Sequence, residues 1–232
     1  MKKNILIIGG SSGIGRALVD ILSADHNIYA ACRHTESLAQ TGLTTLAFDA
    51  TTDTLDSSAL PEQLDGFVYC PGSINLRPFR GLKPETFTQD FDLNVLGAVK
   101  ALQSILPLLQ KSPQASLVFF STVAVSTGMP FHASVAAAKG ALEGLTRSLA
   151  AEFAPKFRVN CIAPSLTDTP LADKFLNNDA KREKAEERHP LKQVGRAENI
   201  AQLAAFLLSE NSQWMTGQIL HADGGIGDLK TN

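Results

Sequence analysis

Hydrophobic and polar positions alternate in blocks along this chain. Short runs rich in β-branched and aromatic residues are separated by longer stretches with apolar residues at helical spacing. NILIIG (Asn4 to Gly9), NIYAAC, TTLAFD, GFVYC, ASLVFFS, RVNCIA and GQILHAD read as seven strands. GIGRALVDILS, Ser134 to Ala154 and AENIAQLAAFLLS read as helices, and PETFTQDFDLNVLGAVKALQSILPLLQ reads as two consecutive ones. The segments between the second, third and fourth strands are short and turn-rich, so any helices there are small. Leu171 to Gln193 is charged and weakly patterned, and it yields no firm element. There is no internal repeat, low-complexity tract or linker. Strands alternating with helices predict a parallel sheet covered on both faces. Right-handed crossovers then give a doubly wound α/β fold, which binds ligands beyond the carboxyl ends of its strands.

Composition narrows the picture only at the edges. With 232 residues the chain is long enough for one large domain, 1–232, with a sizeable core. A hydrophobic content of 44% and a charged content of 19% fit a soluble globular protein. The formal net charge of −2 favours neither nucleic acid nor an anionic membrane as partner. Cys32, Cys70 and Cys161 lie far apart inside apolar runs, which is neither a metal-ligand spacing nor a disulfide framework. No metal is expected, and a reducing, cytoplasmic setting is. The apolar run after Met1 ends at Ile8, too short for a signal peptide, and no run approaches a membrane span.

Candidate chemistry begins after the first strand. IIGGSSGIGRAL places Gly9, Gly13 and Gly15 in a G-x3-G-x-G pattern between a strand and a helix. Such glycines let the backbone come close to a pyrophosphate, and the free N–H groups of the helix start add a positive dipole end. Ser11, Ser12 and Ile14 complete that turn as candidate cofactor contacts. At the end of the second strand stand Cys32 and Arg33, with no carboxylate before Glu36. A carboxylate there would suit the ribose hydroxyl of NAD, whereas an arginine suits the 2′-phosphate of NADP. NADP(H) is therefore the expected cofactor. Further on, Lys139 sits in an alanine-rich helix, with alanines at 136 to 138 leaving room for a ligand, and Asn94 interrupts an apolar helical run. A buried asparagine must be hydrogen-bonded.

These segments together resemble the short-chain dehydrogenase/reductase family. The likeness runs through GGSSGIG, FDAT with Asp49, YCPG at Tyr69 to Gly72, DLNVLGA with Asn94, FFST, AKGALEGLTRSLAAEFAP, RVNCIAPSLTDT and TGQILHADGG, nearly the whole chain. It implies a single-domain Rossmann-type fold with a seven-stranded parallel sheet, a nicotinamide cofactor, a small-molecule substrate, and a homotetramer or homodimer. It also implies that Asp49 binds the adenine amino group, that Gly72 lets the backbone pass the cofactor, and that Thr169 meets the nicotinamide carboxamide. Lys139 would bind the cofactor ribose and Asn94 would hold a water of the proton relay. Pro71 and Ser165 depart from the family pattern, as does the family's catalytic serine position, which here is Thr122.

The largest departure is at the family's catalytic tyrosine, four residues before the lysine. This chain has Val135 there, which neither donates nor accepts a proton. Three groups are candidates to replace it. His132 stands seven residues before Lys139, nearly two helical turns, so both can face one site. Ser134 adjoins the position and can hold a water or cap the helix. Ser126 lies in the loop after the fifth strand. The implied activity is NADP(H)-dependent hydride transfer to a carbonyl or an activated alkene such as an enoyl thioester, with Asn94, Thr122, His132, Ser134 and Lys139 as candidate catalytic residues. The alternative is a non-catalytic NADP(H)-binding sensor or partner subunit.

Overall fold

Strands without a polar face must be covered on both sides, and four strands of this chain are buried at almost every position: β1 (Asn4–Ile8), β4 (Gly66–Tyr69), β5 (Ala115–Phe120) and β6 (Phe157–Pro164). They form the centre of the sheet in a computed structural model that describes residues 2–38 and 43–230. β2 (Asn27–Cys32), β3 (Thr44–Ala47) and β9 (Ile219–Ala222) complete a seven-stranded sheet of order β3-β2-β1-β4-β5-β6-β9. Every neighbouring pair is parallel.

One face of the sheet carries α1 (Gly13–Leu22) and α8 (Ala197–Leu208), whose Leu18, Val19, Ala204 and Leu207 pack with Ile5, Ile7 and Val118. The other carries α3 (Gly97–Leu109) and α5 (Ala133–Phe153), whose Leu102, Ile105, Leu142 and Ala150 pack with Leu6, Phe67 and Phe119. The strand order reverses between β1 and β4, so the chain leaves these two neighbouring strands in opposite directions and opens a crevice at their carboxyl ends. Ile8 lies opposite Tyr69 in register, which sets Gly9 beside Cys70 at that crevice.

The seven strands and the main helices fall where the hydrophobic pattern puts them. The differences are local. The two consecutive helices are one path: α2 (Pro84–Phe91) runs through a π-helical turn, Asp92–Leu96, into α3. Pro84–Leu109, 26 residues, contains an 18-residue window of mean hydropathy 1.2, so by length and composition alone this helical path could cross a membrane. Here Ala98, Ala101, Leu102, Ile105 and Leu109 of that stretch are buried against the sheet. A single helical turn, α4 (Ala124–Thr127), follows β5. The charged segment holds α6 (Asp173–Leu176) and α7 (Asp179–Glu187), bracketed by the short parallel pair β7 (Thr167–Asp168) and β8 (Gly195–Arg196). Ala172, Leu176, Ala185 and Val194 form its small separate core. Too few apolar residues anchor this segment to give a helical period.

Candidate active site

Two cavities meet beyond the carboxyl ends of the central strands. The first, of about 620 Å³, is lined by Gly9, Ser11, Ser12, Gly13, Ile14, Gly15, Arg33, Asp49, Gly72 and Thr169 among others. It therefore gathers every residue assigned to the cofactor from the sequence except Lys139. The glycines have geometric reasons. Gly9 and Gly13 sit at φ +81 and +53, a region that L residues with a Cβ rarely adopt. A Cβ on Gly15 would lie 2.2 Å from the Gly9 carbonyl oxygen, so only glycine lets the helix start this close to the strand. Ser12 is the N-cap of α1 but makes no side-chain cap bond, so the N–H groups of the first turn stay open to an anion.

Arg33 is exposed at the edge of this cleft and has no hydrogen-bond or ion-pair partner among the described residues. Asp49 has one carboxylate oxygen occupied: Oδ1 accepts from Thr51 N at 2.8 Å and Thr51 Oγ1 at 2.6 Å. Those bonds from Thr51 hold its carboxyl below the ordinary carboxylate value. The turn-aspartate and ligand-contact readings of Asp49 are thus compatible, since Oδ2 remains free to accept. Glycine-lined backbone and an open helix start fit the pyrophosphate of a dinucleotide, with an unpaired arginine at the edge of the cleft.

The second cavity, of about 430 Å³, extends from Gly72 and Lys139 outward to α7. Thr122, His132, Val135 and Lys139 all line it. Lys139 is buried, and its Nζ donates to the Phe120 carbonyl at 2.7 Å. Burial pulls its pKa down to about 8. An ammonium has two further N–H groups to place. A Cβ on Gly72 would stand 3.4 Å from Lys139 Nζ and 3.4 Å from Asn94 Oδ1, so both atoms face the same point.

The orientation of Asn94 follows from its neighbours. Just before the π-helical turn, the Asp90 carbonyl accepts from Asn94 Nδ2 at 2.7 Å. Ser73 Oγ accepts from Nδ2 at 3.0 Å, because its own proton goes to Asp90 Oδ1 at 2.5 Å. Both Nδ2 partners are acceptors, so the amide oxygen must face the other way. Asn94 Oδ1 is then buried without a partner among the described residues. A buried orphan acceptor pointing at an ammonium marks a place for a polar ligand atom or a water.

Behind this pair lies a carboxylate that the sequence did not single out. Asp90, 1% exposed, accepts from Ser73 Oγ, from Asn75 Nδ2 at 2.7 Å and from Ser134 Oγ. Ser134 also donates to Thr86 O at 3.2 Å. It is buried, does not line the cavity, and is not the cap of α5; that position is His132. Ser134 thus anchors α5 to α2 rather than facing a substrate. The fold brings Asp90 to it, and sequence neighbours could not reveal that contact. Ser126 also lies outside the cavity lining, hydrogen-bonded with His221 Nε2 at 3.3 Å.

His132 Nδ1 lies 2.7 Å from the Pro130 carbonyl. A carbonyl only accepts, so Nδ1 carries a proton and Nε2 is the acceptor nitrogen of the neutral ring. The preceding Phe131 is held at φ +70, an unfavourable conformation for a bulky residue, in the loop that presents His132. Thr122 Oγ1 accepts from Ala124 N at 3.3 Å and keeps its own proton to donate. The chain has two tyrosines, Tyr29 and Tyr69, and neither lines the cavity. Tyr69 donates to the Leu93 carbonyl at 2.6 Å, and burial raises its pKa far above the ordinary phenol value. Away from both cavities, His221, Asp223 and Asp228 could each offer a ligand atom within 4.8 Å of one another. Asp223 already accepts from Gly225 N and Gly227 N.

A dinucleotide cleft at the switch point of a doubly wound sheet, with a lysine–asparagine pair at its inner end, defines an oxidoreductase class. The chain belongs to the short-chain dehydrogenase/reductase family: residues 11–227 match the family model described as enoyl-(acyl carrier protein) reductase. It is 32% identical to a tropinone reductase homolog of Arabidopsis thaliana, over 96% of this chain and 92% of that protein. The solved structure of a short chain dehydrogenase family protein from Francisella tularensis superposes with TM-score 0.89 at 27% identity, covering 99% of this chain and 100% of that one. The structure of ElxO with NADP bound superposes with TM-score 0.86 at 25% identity, covering 99% and 100%.

Proposed function

We propose that this oxidoreductase is NADP(H)-dependent and reduces a carbonyl or an activated alkene with an acid–base group other than tyrosine. The observation that carries this reading is the cavity wall itself: Val135 and Lys139 both line it, while both tyrosines of the chain lie outside the lining. When bound, the cofactor furnishes a hydride at its nicotinamide carbon. Gly9 to Gly15 and the start of α1 would hold its pyrophosphate, Arg33 its 2′-phosphate, Asp49 its adenine and Lys139 its ribose. ElxO, a structural neighbour that binds NADP, supports the phosphorylated form of the cofactor.

The proton is the chain's task. His132 lines the cavity and its Nδ1 is tied to Pro130, so a protonated ring there can donate from Nε2 to an enolate carbon or an alkoxide oxygen. Thr122 can orient the substrate oxygen through its free hydroxyl proton. Asn94 Oδ1 and Lys139 Nζ can hold a water between them, giving a second route for the proton. An enoyl thioester or other activated alkene suits this arrangement best, since its proton goes to carbon or an enolate and need not come from a phenol.

A homotetramer or homodimer in a reducing, cytoplasmic compartment completes the proposal; three free cysteines fit such a setting. The test is an assay of NADPH oxidation with ketones, enones and enoyl thioesters. Turnover with one class supports the reading. Tight NADPH binding with no turnover favours the sensor or partner-subunit alternative, which the same cleft would serve.

A further inference from the structure

The outer cavity has a charge asymmetry that neither the cofactor nor the proton relay uses. Besides Lys139, the cations Lys174, Lys181, Lys184 and Arg188 line it, and among the described residues no carboxylate does. The asymmetry comes from how α7 sorts its charges. At about 100° per residue, Lys181, Lys184 and Arg188 share one side of the helix, while Asp179, Glu183, Glu186 and Glu187 fall on the others. Arg182 turns away and pairs with Asp168 at 2.6 Å. The cationic side faces the cavity, and the acidic residues do not reach it.

Two of these cations are already committed. Lys174 Nζ donates to the Ile74 carbonyl at 2.8 Å, and Lys181 Nζ to the Lys174 carbonyl at 2.9 Å and Asn177 Oδ1 at 2.8 Å. They tie the α6–α7 segment together and to the loop after β4. Lys184 and Arg188, one turn apart and exposed, have no hydrogen-bond or ion-pair partner among the described residues. Neither lines the dinucleotide cleft. The same wall carries the apolar side chains of Ile74, Met129, Val135, Leu166 and Phe175, with Thr122 and His132 as polar groups among them.

We propose that the ligand of this cavity is an amphiphilic anion, with an apolar body along the wall at Val135 and a carboxylate or phosphate group held at the mouth by Lys184 and Arg188. Arginine and lysine on neighbouring turns can share one such group, the guanidinium through a two-pronged contact and the ammonium as a point charge. The inference rests on the proposed function only in making that ligand the substrate.

The experiment is calorimetric titration of the NADP⁺-saturated protein with octanoate, octyl phosphate and octan-1-ol. Saturation keeps the anionic probes out of the dinucleotide cleft. At least one anion is expected to bind more tightly than the alcohol. Lys184→Ala combined with Arg188→Ala should weaken that anion roughly tenfold, as loss of partly exposed charge contacts does, and leave octan-1-ol unchanged. The anion that loses more identifies the head group. Lys111→Ala with Lys156→Ala, which removes the same charge at the opposite end of the sheet, should have no effect. The proposal is overturned if alcohol and anions bind alike, if no probe binds at millimolar concentration, or if the double variant leaves anion affinity intact. It is equally overturned if the control variant weakens it as much. A protein that binds no NADP⁺ fails the proposed function instead, and the same comparison is then read on the unliganded chain.

Discussion

Lys139 and Asn94 come from different helices and aim at one point beside Gly72, where a Cβ would lie 3.4 Å from the amine of the first and the amide oxygen of the second. Neither arrangement is cheap to maintain. The ammonium is buried and the amide oxygen is left without a partner. Both costs are offset when a ligand or water occupies the point they share.

That cost is measurable at Lys139. Its pKa falls from 10.5 to about 8 through burial. Between those values the unfolded chain holds a proton that the folded chain has released, so folding stability should rise with pH across that window. Below pH 8 the full penalty stands, on the order of 3 kcal/mol for such a shift. Lys139→Met should therefore be more stable than the parent at pH 7 without cofactor, by about 1–3 kcal/mol in urea denaturation, and should lose NADPH affinity. A variant less stable than the parent at pH 7, with no gain for the parent between pH 8 and 10, would remove this account of the lysine.

On the proposed function, Arg33 sets the cofactor preference. Arg33→Asp should invert it, weakening NADPH and strengthening NADH in fluorescence titration. Tighter NADH than NADPH binding by the parent would show that the arginine does something else.

His132 is expected to act on the chemical step. His132→Ala should lower kcat by roughly 10²–10⁴-fold, the usual contribution of a general acid or base, while leaving cofactor affinity alone. An unchanged kcat would move the proton's source to the water expected between Lys139 and Asn94.

What could be seen in the sequence, and what could not, divides on whether a residue's role is local. Gly9, Gly13 and Gly15 are legible because their constraint is a backbone angle or a contact six residues away. The central strands are legible because apolar residues fill most of their positions, with Asn4, Ser116, Arg158 and Asn160 the polar exceptions. Asp90 is not, since its three donors come from Ser73, Asn75 and Ser134, and a lone aspartate in an amphipathic helix looks like part of a wet face. Ser134 is misread for the same reason. The cationic side of α7 is visible in the spacing of Lys181, Lys184 and Arg188 only once the docked face is known.

Association of copies is the remaining expectation from the family resemblance. Light scattering at micromolar concentration should give a dimer or tetramer of the 24.8 kDa chain. A monomeric mass would count against the long helices α3 and α5 as the joining surface.

The central claim is that Val135 marks a working reductase with a different acid, and the most direct measurement is NADPH oxidation by the parent and by Val135→Tyr across ketones, enones and enoyl thioesters. The parent is expected to turn over at least one activated alkene, and Val135→Tyr to gain carbonyl reduction, because Lys139 and Thr122 line the same cavity and Asn94 shares the Gly72 position with Lys139. A protein that binds NADPH tightly yet oxidises it with no acceptor, before or after the substitution, would contradict it.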